Sequence, residues 1–286
     1  MISTTQKEEV WDTVIQPRQH PLDLQLDEVW RYRDLLSMFV RRDVVTVYKQ
    51  TVLGPVWYVV QPILMTAIYV LVFGRIANIS TDGLPQVLFY LSGIVLWNYF
   101  SETFTQTSKT FKENESIFGK VYFPRIIMPM SKIVSGLIKF GIQFGFFLVV
   151  YLYFVLQGYD VSPTAYLACL PLLILLMAAL SLGCGIIFTS LTSKYRDLNF
   201  LIQFGVQLLM YATPVIYPVS TIPEKYKFVI MANPMTPIIE SFRYALLGAG
   251  NVDWGHLGYS AGFTLVLLAV GIIIFNKTEK TFMDTV

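Results

Sequence analysis

The chain has 286 residues, of which 55% are hydrophobic and only 14% are charged. A soluble domain of this size does not normally bury so much apolar surface, so the composition favours an integral membrane protein. The formal net charge of +2 is too small to indicate a nucleic-acid partner. Cys169 and Cys184 lie in one apolar stretch, where we expect buried thiols rather than a disulfide or a metal site.

The N-terminal part of the chain divides into a polar segment and an amphipathic one. Residues 1–25 lack a basic start followed by an apolar stretch, so we expect no signal peptide and a cytoplasmic N-terminus. In residues 26–50, apolar side chains recur at three-to-four spacing, which predicts a helix lying on the inner membrane surface. A helix packed against the protein's own loops is the alternative.

Six apolar stretches approach or exceed the length of about 20 residues that a helix needs to cross the hydrocarbon core. They are residues 52–76, 86–107, 131–157, 165–192, 198–219 and 257–275. Each stretch is continuous rather than alternating, which favours helices over barrel strands. The predicted fold is therefore an all-α membrane domain over 51–280 with six transmembrane helices.

The distribution of basic residues predicts the orientation. Of the 21 lysines and arginines, 16 lie on one side of the six stretches and 4 on the other, and Lys139 lies within the third stretch. Cytoplasmic loops carry the excess of basic residues, so both termini are predicted to be cytoplasmic.

The cytoplasmic loop between the second and third stretches carries a short amphiphilic segment, predicted as a helix over about 111–123. Ile117, Phe118, Val121 and Tyr122 share one face at helical spacing, and Pro124 is expected to end the helix. Because this helix projects from the membrane, we expect it to dock a soluble partner. A helix that merely rests on the membrane is the alternative.

The outer loop, 220–256, contains two apolar segments that are too short to cross the membrane. They predict two short helices within about 224–248, the second with Thr236 as N-cap, Pro237 at its first position and Gly248 as its stop. We expect the pair to enter the outer leaflet as a re-entrant hairpin. An interfacial loop is the alternative.

Four charged residues stand within or beside apolar segments. We expect Lys139 in the third stretch and Glu102 near the inner end of the second to reach the inner interface or to form a local pair; contact with a substrate is the alternative. Glu240 and Arg243 are three residues apart and are predicted to pair on the outer helix.

Residues for ATP binding or catalysis are not apparent in the sequence. The Gly119-Lys120 pair has Asn114 where a phosphate-binding loop requires its first glycine, so we expect no Walker loop. His20 and His256 are far apart in the predicted topology, which argues against a zinc pair or a histidine-based nucleophile. We therefore expect a transport subunit that is not itself an enzyme.

Aromatic side chains are numerous in and beside the predicted spans. Near span ends they usually form interfacial belts. Some of them are also candidates to line a conduit, because flat rings offer apolar faces to the C–H faces of sugars. The candidates are Tyr58, Trp97, Tyr99, Phe140, Phe144, Tyr151 and Tyr211.

Four motifs, in order along the chain, resemble the membrane permease of polysaccharide-exporting ABC transporters of the O-antigen, capsule and teichoic-acid type. They are RRDVVTVYKQTVLGPVWYVVQPILMTAIYVLVFG (41–74), KVYFPRIIMP (120–129), YRDLNFLIQFGVQLLMYATPVIYP (195–218) and NPMTPIIESFRYALLG (233–248). The resemblance implies a bacterial inner-membrane subunit that exports lipid-linked polysaccharide. Its implied partners are a second copy of the chain and two ABC ATP-binding subunits, which bind the ATP and Mg²⁺.

The resemblance also implies roles for individual residues. The coupling helix that docks on the ATP-binding subunit would include Glu115, Ile117, Phe118, Lys120, Val121, Tyr122 and Arg125. The outer gate would include Pro234, Glu240, Arg243 and Tyr244. Two alternatives remain open: a related ABC permease for lipids, drugs or peptides, and an ATP-independent secondary transporter or membrane enzyme.

Overall fold

A computed structural model describes residues 26–50, 52–195, 197–250 and 252–285; the polar segment 1–25 lies outside them. Within these ranges the ordered elements are helical, and no strand is present, so the all-α prediction is confirmed. The helices are α1 Leu26–Arg31, α2 Arg33–Gln50, α3 Trp57–Tyr69, α4 Gln86–Ser108, α5 Thr110–Glu113, α6 Glu115–Phe118, α7 Ile127–Leu156, α8 Leu170–Lys194, α9 Leu198–Tyr211, α10 Glu224–Met231, α11 Met235–Leu247 and α12 Trp254–Thr285. A π-helical turn, Val70–Ile76, extends α3, and short 3-10 turns precede α3, α8 and α10.

Four helical segments are long and apolar enough to cross a membrane. They are Gly54–Ile76, Ile127–Leu156, Ala165–Lys194 and Trp254–Glu279. Their apolar side chains are largely exposed on α3 and α7, as expected of surfaces that contact lipid or other membrane helices.

The second predicted span, α4, is the central helix of the fold. It has 23 residues, or about 35 Å at the α-helical rise, which is enough to cross the hydrocarbon core. Most of its side chains are buried, because α3, α7, α8 and α11 pack around it. The polar residues that weaken its apolar character, such as Thr103 and Thr107, are therefore enclosed by protein rather than exposed to lipid.

The fifth predicted span differs most from its prediction. Helix α9 has only 14 residues and ends at Tyr211, so the expected continuous helix over 198–219 is wrong. At about 1.5 Å per residue it extends only about 21 Å, which is less than the thickness of the hydrocarbon core. Pro214 and Pro218 explain the early end, because proline lacks the N–H that a helix needs.

The predicted N-terminal surface helix forms as two helices, with a turn at Tyr32 between α1 and α2. Val29 and Phe39 are buried against the protein, whereas Trp30 is exposed. Asp43 on α2 accepts a hydrogen bond from Lys132 on α7 at 2.8 Å, which ties this helix to the membrane domain. The segment thus packs on its own protein, and it also presents apolar side chains outward.

A second hydrophobic core lies at the end of the fold where α5, α6 and α12 meet. Its centre is a group of phenylalanines in which Phe111 stacks on Phe275 with ring centroids 4.9 Å apart. Phe39 from α2 and Phe123 join the same cluster. This cluster links α2, the loop between α4 and α7, and α12.

Candidate functional site

The predicted coupling segment, about 111–123, forms two helices of four residues each, α5 and α6. Asn114 lies between them, and its Nδ2 donates to the carbonyl of Thr110 at 2.9 Å. The second helix ends at Phe118, before Gly119, and not at Pro124 as predicted. Val121 and Tyr122 therefore lie beyond the helix and do not continue one of its faces.

Phe118 faces inward and does not reach the surface. Its side chain is only 5% exposed, and its ring lies 5.8 Å from the rings of Phe111 and Phe123. The guanidinium of Arg125 lies 5.5 Å from the centre of the same ring and donates to the carbonyl of Glu279 at 2.7 Å. Phe118 and Arg125 therefore support the loop from within.

The outer surface of this loop is formed by other residues of the predicted set. Val121 is 58% exposed and Tyr122 is 53% exposed, and Glu115 and Lys120 are exposed beside them. We call these four residues the loop surface. Ile117 is partly buried against the second core. The loop surface thus combines an aromatic ring, an apolar side chain and charges of both signs. The buried rings around Phe118 support the same loop from within.

The structure separates the aromatic conduit candidates into two groups. Trp97, Tyr99 and Phe140 are buried within the chain and do not reach a surface, which removes them from the candidates. Their burial was not evident from sequence, because it depends on the helices that pack around α4. In contrast, Tyr211 at the end of α9 is 54% exposed. Tyr58, Phe144 and Tyr151 are half-buried.

Glu102 and Lys139 pair with each other, which is one of the outcomes that the sequence left open. The Lys139 ammonium on α7 contacts the Glu102 carboxylate on α4 and lies 4.9 Å from the centre of the Tyr58 ring. These side chains border a cavity of about 330 Å³, which Asp43 and Lys132 also line. The pairing satisfies both charges at a place where an isolated charge would be costly.

The two outer helices are α10 and α11. The predicted stop at Gly248 is confirmed, because this residue adopts a left-handed conformation with φ of 73°. The predicted N-cap Thr236 is wrong: α11 begins at Met235, whose N–H donates to the Asn233 side chain at 3.0 Å. The hydroxyl of Thr236 instead donates to the carbonyl of Ile230, at 2.7 Å.

Arg243 is the most enclosed charge of the outer region, at 2% exposure. The predicted pair with Glu240 forms at 3.5 Å. Arg243 also donates to the carbonyls of Pro214 and Val215, at 2.6 and 2.8 Å, and lies 3.8 Å from the centre of the Phe89 ring. These contacts to the segment after α9 were not predicted from the sequence. Pro214 and Pro218 in that segment are the only local signal, because they interrupt the helix and leave carbonyls that need donors from elsewhere.

Tyr244 and Pro234, the other two residues predicted for the outer gate, also make specific contacts. The ring of Tyr244 lies edge-on to that of Tyr166, with centroids 5.3 Å apart. Pro234 precedes α11, and its carbonyl accepts a hydrogen bond from Ser260 on α12 at 2.7 Å. The outer helices are thus held against α12 and against the turn that precedes α8.

A polar cavity of about 620 Å³ opens beside α10 and α11 and is lined by Asp82, Glu240, Asp253 and His256, among others. Burial raises the pKa of Glu240. Hydrogen bonds from His256 and Gly255 lower the pKa of the exposed Asp253. Among the residues that the structure describes, no three His, Cys, Asp or Glu side chains are grouped to hold a metal ion.

The ABC-2 type transporter family model matches residues 34–247, more than half of the chain. The O-antigen export system permease protein RfbA of Klebsiella pneumoniae is 30% identical over 88% of this chain and 94% of its own length. RfbA of Myxococcus xanthus is 26% identical over 91% and 98%. The polysialic acid transport protein KpsM of Escherichia coli is 23% identical over 85% and 93%.

These matches confirm the resemblance to polysaccharide-export permeases. They agree with the helices that are long and apolar enough to span a membrane. The chain is a multi-pass membrane protein and belongs to the ABC-2 type transporter family.

Proposed function

We propose that this chain is the transmembrane subunit of an ATP-driven exporter that moves a lipid-linked polysaccharide across the bacterial inner membrane. The observation that carries the proposal is the set of relatives, because proteins named for O-antigen and polysialic acid transport match nearly the whole chain. We place both termini in the cytoplasm, in keeping with the excess of basic residues on that side.

The membrane domain in this proposal has six crossings. Helices α3, α4, α7, α8 and α12 cross the hydrocarbon core, and α9 crosses together with the irregular segment that follows it. The buried position of that segment supports this assignment, because non-helical backbone is tolerated at membrane depth only where protein or water satisfies it. Helices α10 and α11 form a re-entrant outer gate between the fifth and sixth crossings.

Two copies of the chain are proposed to enclose the export pathway. One face of α9 supports this role, because Phe200, Phe204, Leu208 and Tyr211 recur at helical spacing and are all more than half exposed. The rings of Phe200, Phe204 and Tyr211 offer flat apolar faces to the C–H faces of sugars. We therefore infer that α9 contributes the aromatic lining of the pathway, together with the half-buried Tyr58.

The loop surface is the proposed docking site for a separate ATP-binding subunit, one for each copy of the chain. That subunit would hold ATP and Mg²⁺, because this chain offers no phosphate-binding loop. Tyr122 and Val121 provide the exposed apolar contact, with Glu115 and Lys120 at its rim, a pattern common in protein interfaces. Phe118 is buried beneath the loop and packs on Phe111, which stacks on Phe275, so we infer that movement of the loop is transmitted to α5 and α12 through these rings.

The experiment uses the chain co-purified with a candidate ATP-binding subunit and reconstituted into liposomes. We expect ATP hydrolysis that the chain alone lacks, and ATP-dependent transfer of a lipid-linked glycan across the bilayer. Stimulation by a lipid, drug or peptide but by no glycan would instead indicate a related permease. Transport without any ATP-binding subunit would indicate a secondary transporter.

A point variant tests the docking role separately. Tyr122→Asp places a charge in the proposed contact and should abolish association with the ATP-binding subunit. Tyr226→Asp is the matched control for docking, because Tyr226 is 55% exposed but lies on α10, on the opposite side of the membrane in the proposed topology. If both variants bind the subunit equally well, the loop surface is not the docking site.

A further inference from the structure

The chain leaves the helical conformation immediately after α9, at a place that is buried in the protein. Thr213, Pro214, Val215 and Ile216 are all buried. The carbonyl of Thr213 accepts from the N–H of Val215 at 2.7 Å. The carbonyls of Pro214 and Val215 lie beyond the end of the helix and have no helical partner. Buried carbonyls without donors are costly, so donors must come from another part of the chain.

Asn233 donates hydrogen bonds to the start of this segment from the turn before α11. Its Nδ2 donates to the carbonyl of Ala212 at 3.1 Å and to the hydroxyl of Thr213 at 2.8 Å. Its Oδ1 accepts from the N–H of Met235 at 3.0 Å and so begins α11. One side chain therefore ties the end of α9 to the start of α11.

Arg243 supplies the remaining donors from two turns further along α11. It donates to the carbonyls of Pro214 and Val215 and, at 3.4 Å, to the hydroxyl of Ser92 on α4. A guanidinium suits this position because its planar fork directs several N–H groups at fixed angles. We call Asn233 and Arg243, with the carbonyls of residues 212, 214 and 215, the clasp.

The clasp joins elements that the polypeptide connects only indirectly. Between α9 and α11 the chain runs through turns and α10, and α10 has no buried side chain in the structure. In contrast, α11 is almost entirely buried against its neighbours. Any displacement of α9 therefore reaches α11 most directly through the clasp.

We propose that Asn233 and Arg243 are positioning residues for export that make α9 and the outer helices move as one unit. The inference rests on the proposed function, because it concerns a pathway lined by α9 and closed by α10 and α11. The ATP-binding subunit moves the loop surface, and that movement then opens the outer end of the pathway, which we call the outer mouth. Without the clasp, ATP hydrolysis continues but the outer mouth does not follow.

The test measures glycan export and ATP hydrolysis in the same reconstituted complex. Asn233→Asp keeps the oxygen that accepts from Met235 but loses both donated hydrogen bonds. We expect it to lower glycan exported per ATP hydrolysed at least tenfold, while the amount of complex and its ATP hydrolysis stay within twofold. The control is Asp160→Ala, which alters an exposed side chain in the loop between α7 and α8 and should change neither quantity.

Arg243→Lys distinguishes positioning from general stability. A lysine keeps the charge and can reach one carbonyl but not two, so export per ATP should fall to a value between those of wild type and Arg243→Ala. If Arg243→Ala does not fold into the membrane, export per ATP is compared between wild type, Asn233→Asp and Arg243→Lys only. Unchanged export per ATP in both would overturn the proposal.

A distance measurement tests the clasp without any substrate. Spin labels at Leu208 on α9 and Val229 on α10, both exposed, report the separation of the two helices. The native Cys169 and Cys184 are first replaced by alanine. We expect a narrow distance distribution in the parent chain and a broader one with Asn233→Asp, and an equally narrow one in both would contradict the clasp.

The two experiments separate the clasp from the proposed function. If the parent complex exports no glycan but Asn233→Asp broadens the label distances, the proposed substrate is wrong and the clasp stands. If the parent complex exports glycan and the clasp variants match it in both measurements, the proposed function stands and the clasp is wrong.

Discussion

Replacing Phe118 with alanine should destabilise the chain without directly removing a contact to the ATP-binding subunit. The substitution deletes ring contacts with Phe111 and Phe123 and a cation–π contact with Arg125. Ring pairs contribute about 0.5–1.5 kcal/mol each and the cation–π contact about 0.5–1 kcal/mol. Loss of a buried phenylalanine in full costs about 3–5 kcal/mol, because a cavity remains.

The expected change is large enough to measure in detergent. One kcal/mol shifts the midpoint of thermal unfolding by about 2–4 °C in a chain of 150–250 residues. Phe118→Ala should therefore lower the apparent Tm by about 6–20 °C in a fluorescence-detected melt. A shift below 2 °C would refute the inward packing of Phe118.

Tyr122→Ala is the companion variant, because Tyr122 is exposed on the same loop. We expect its apparent Tm to stay within 2 °C of wild type. Its affinity for the ATP-binding subunit should fall about 30-fold, which corresponds to an interface anchor worth about 2 kcal/mol. The reverse result, a large Tm change with unchanged affinity, would mean that Tyr122 rather than Phe118 supports the loop.

Three further variants test other parts of the structure. Lys139→Met should lower the apparent Tm in detergent by several degrees, because it leaves the Glu102 carboxylate unpaired. Adding Glu102→Gln removes that carboxylate and should recover part of the loss. If the two substitutions instead lower the Tm by equal and additive amounts, the pair does not stabilise the protein. Gly248→Ala should destabilise the folded chain by about 1 kcal/mol, because the φ of Gly248 is positive. Gly258→Ala inside α12 is the control and should not destabilise it, because nothing lies near the added methyl group. Equal melting temperatures of the two variants would contradict this prediction. Asp43→Asn should increase protease cleavage within α2 by releasing it from α7, and an unchanged cleavage pattern would show that the ion pair is dispensable.

The sequence predicts the helices with long uninterrupted apolar stretches better than the helix whose stretch contains polar residues. α7, α8 and α12 are long and continuous, so hydropathy alone identifies them. α4 is harder to identify because polar residues such as Thr103 and Thr107 lower its hydropathy, and only the fold shows that both are buried. Its role as the central helix follows from packing, which a pattern along one segment does not contain.

The candidate site was only partly predictable for the same reason. The Glu240–Arg243 pair was expected from its three-residue spacing, and it forms. For Glu102 and Lys139 the sequence left contact with the inner interface, a local pair or a substrate contact open, and the structure pairs the two residues with each other. The contacts from Arg243 to the segment after α9 join residues 28 and 29 positions apart, so no local pattern indicates them. Likewise, helical spacing placed Phe118 on the surface with Tyr122, whereas Gly119 ends the helix and the two side chains face opposite ways.

The most direct test of the account is glycan transfer by the reconstituted complex of this chain with its ATP-binding subunit. Liposomes carrying a lipid-linked glycan on the face that holds the ATP-binding subunit are supplied with ATP, and glycan on the opposite face is detected with a lectin. The account predicts ATP-dependent transfer that is lost with Tyr122→Asp and retained with Asp160→Ala in the loop between α7 and α8. Hydrolysis of ATP by a fully assembled complex that transfers no glycan of any class would contradict it.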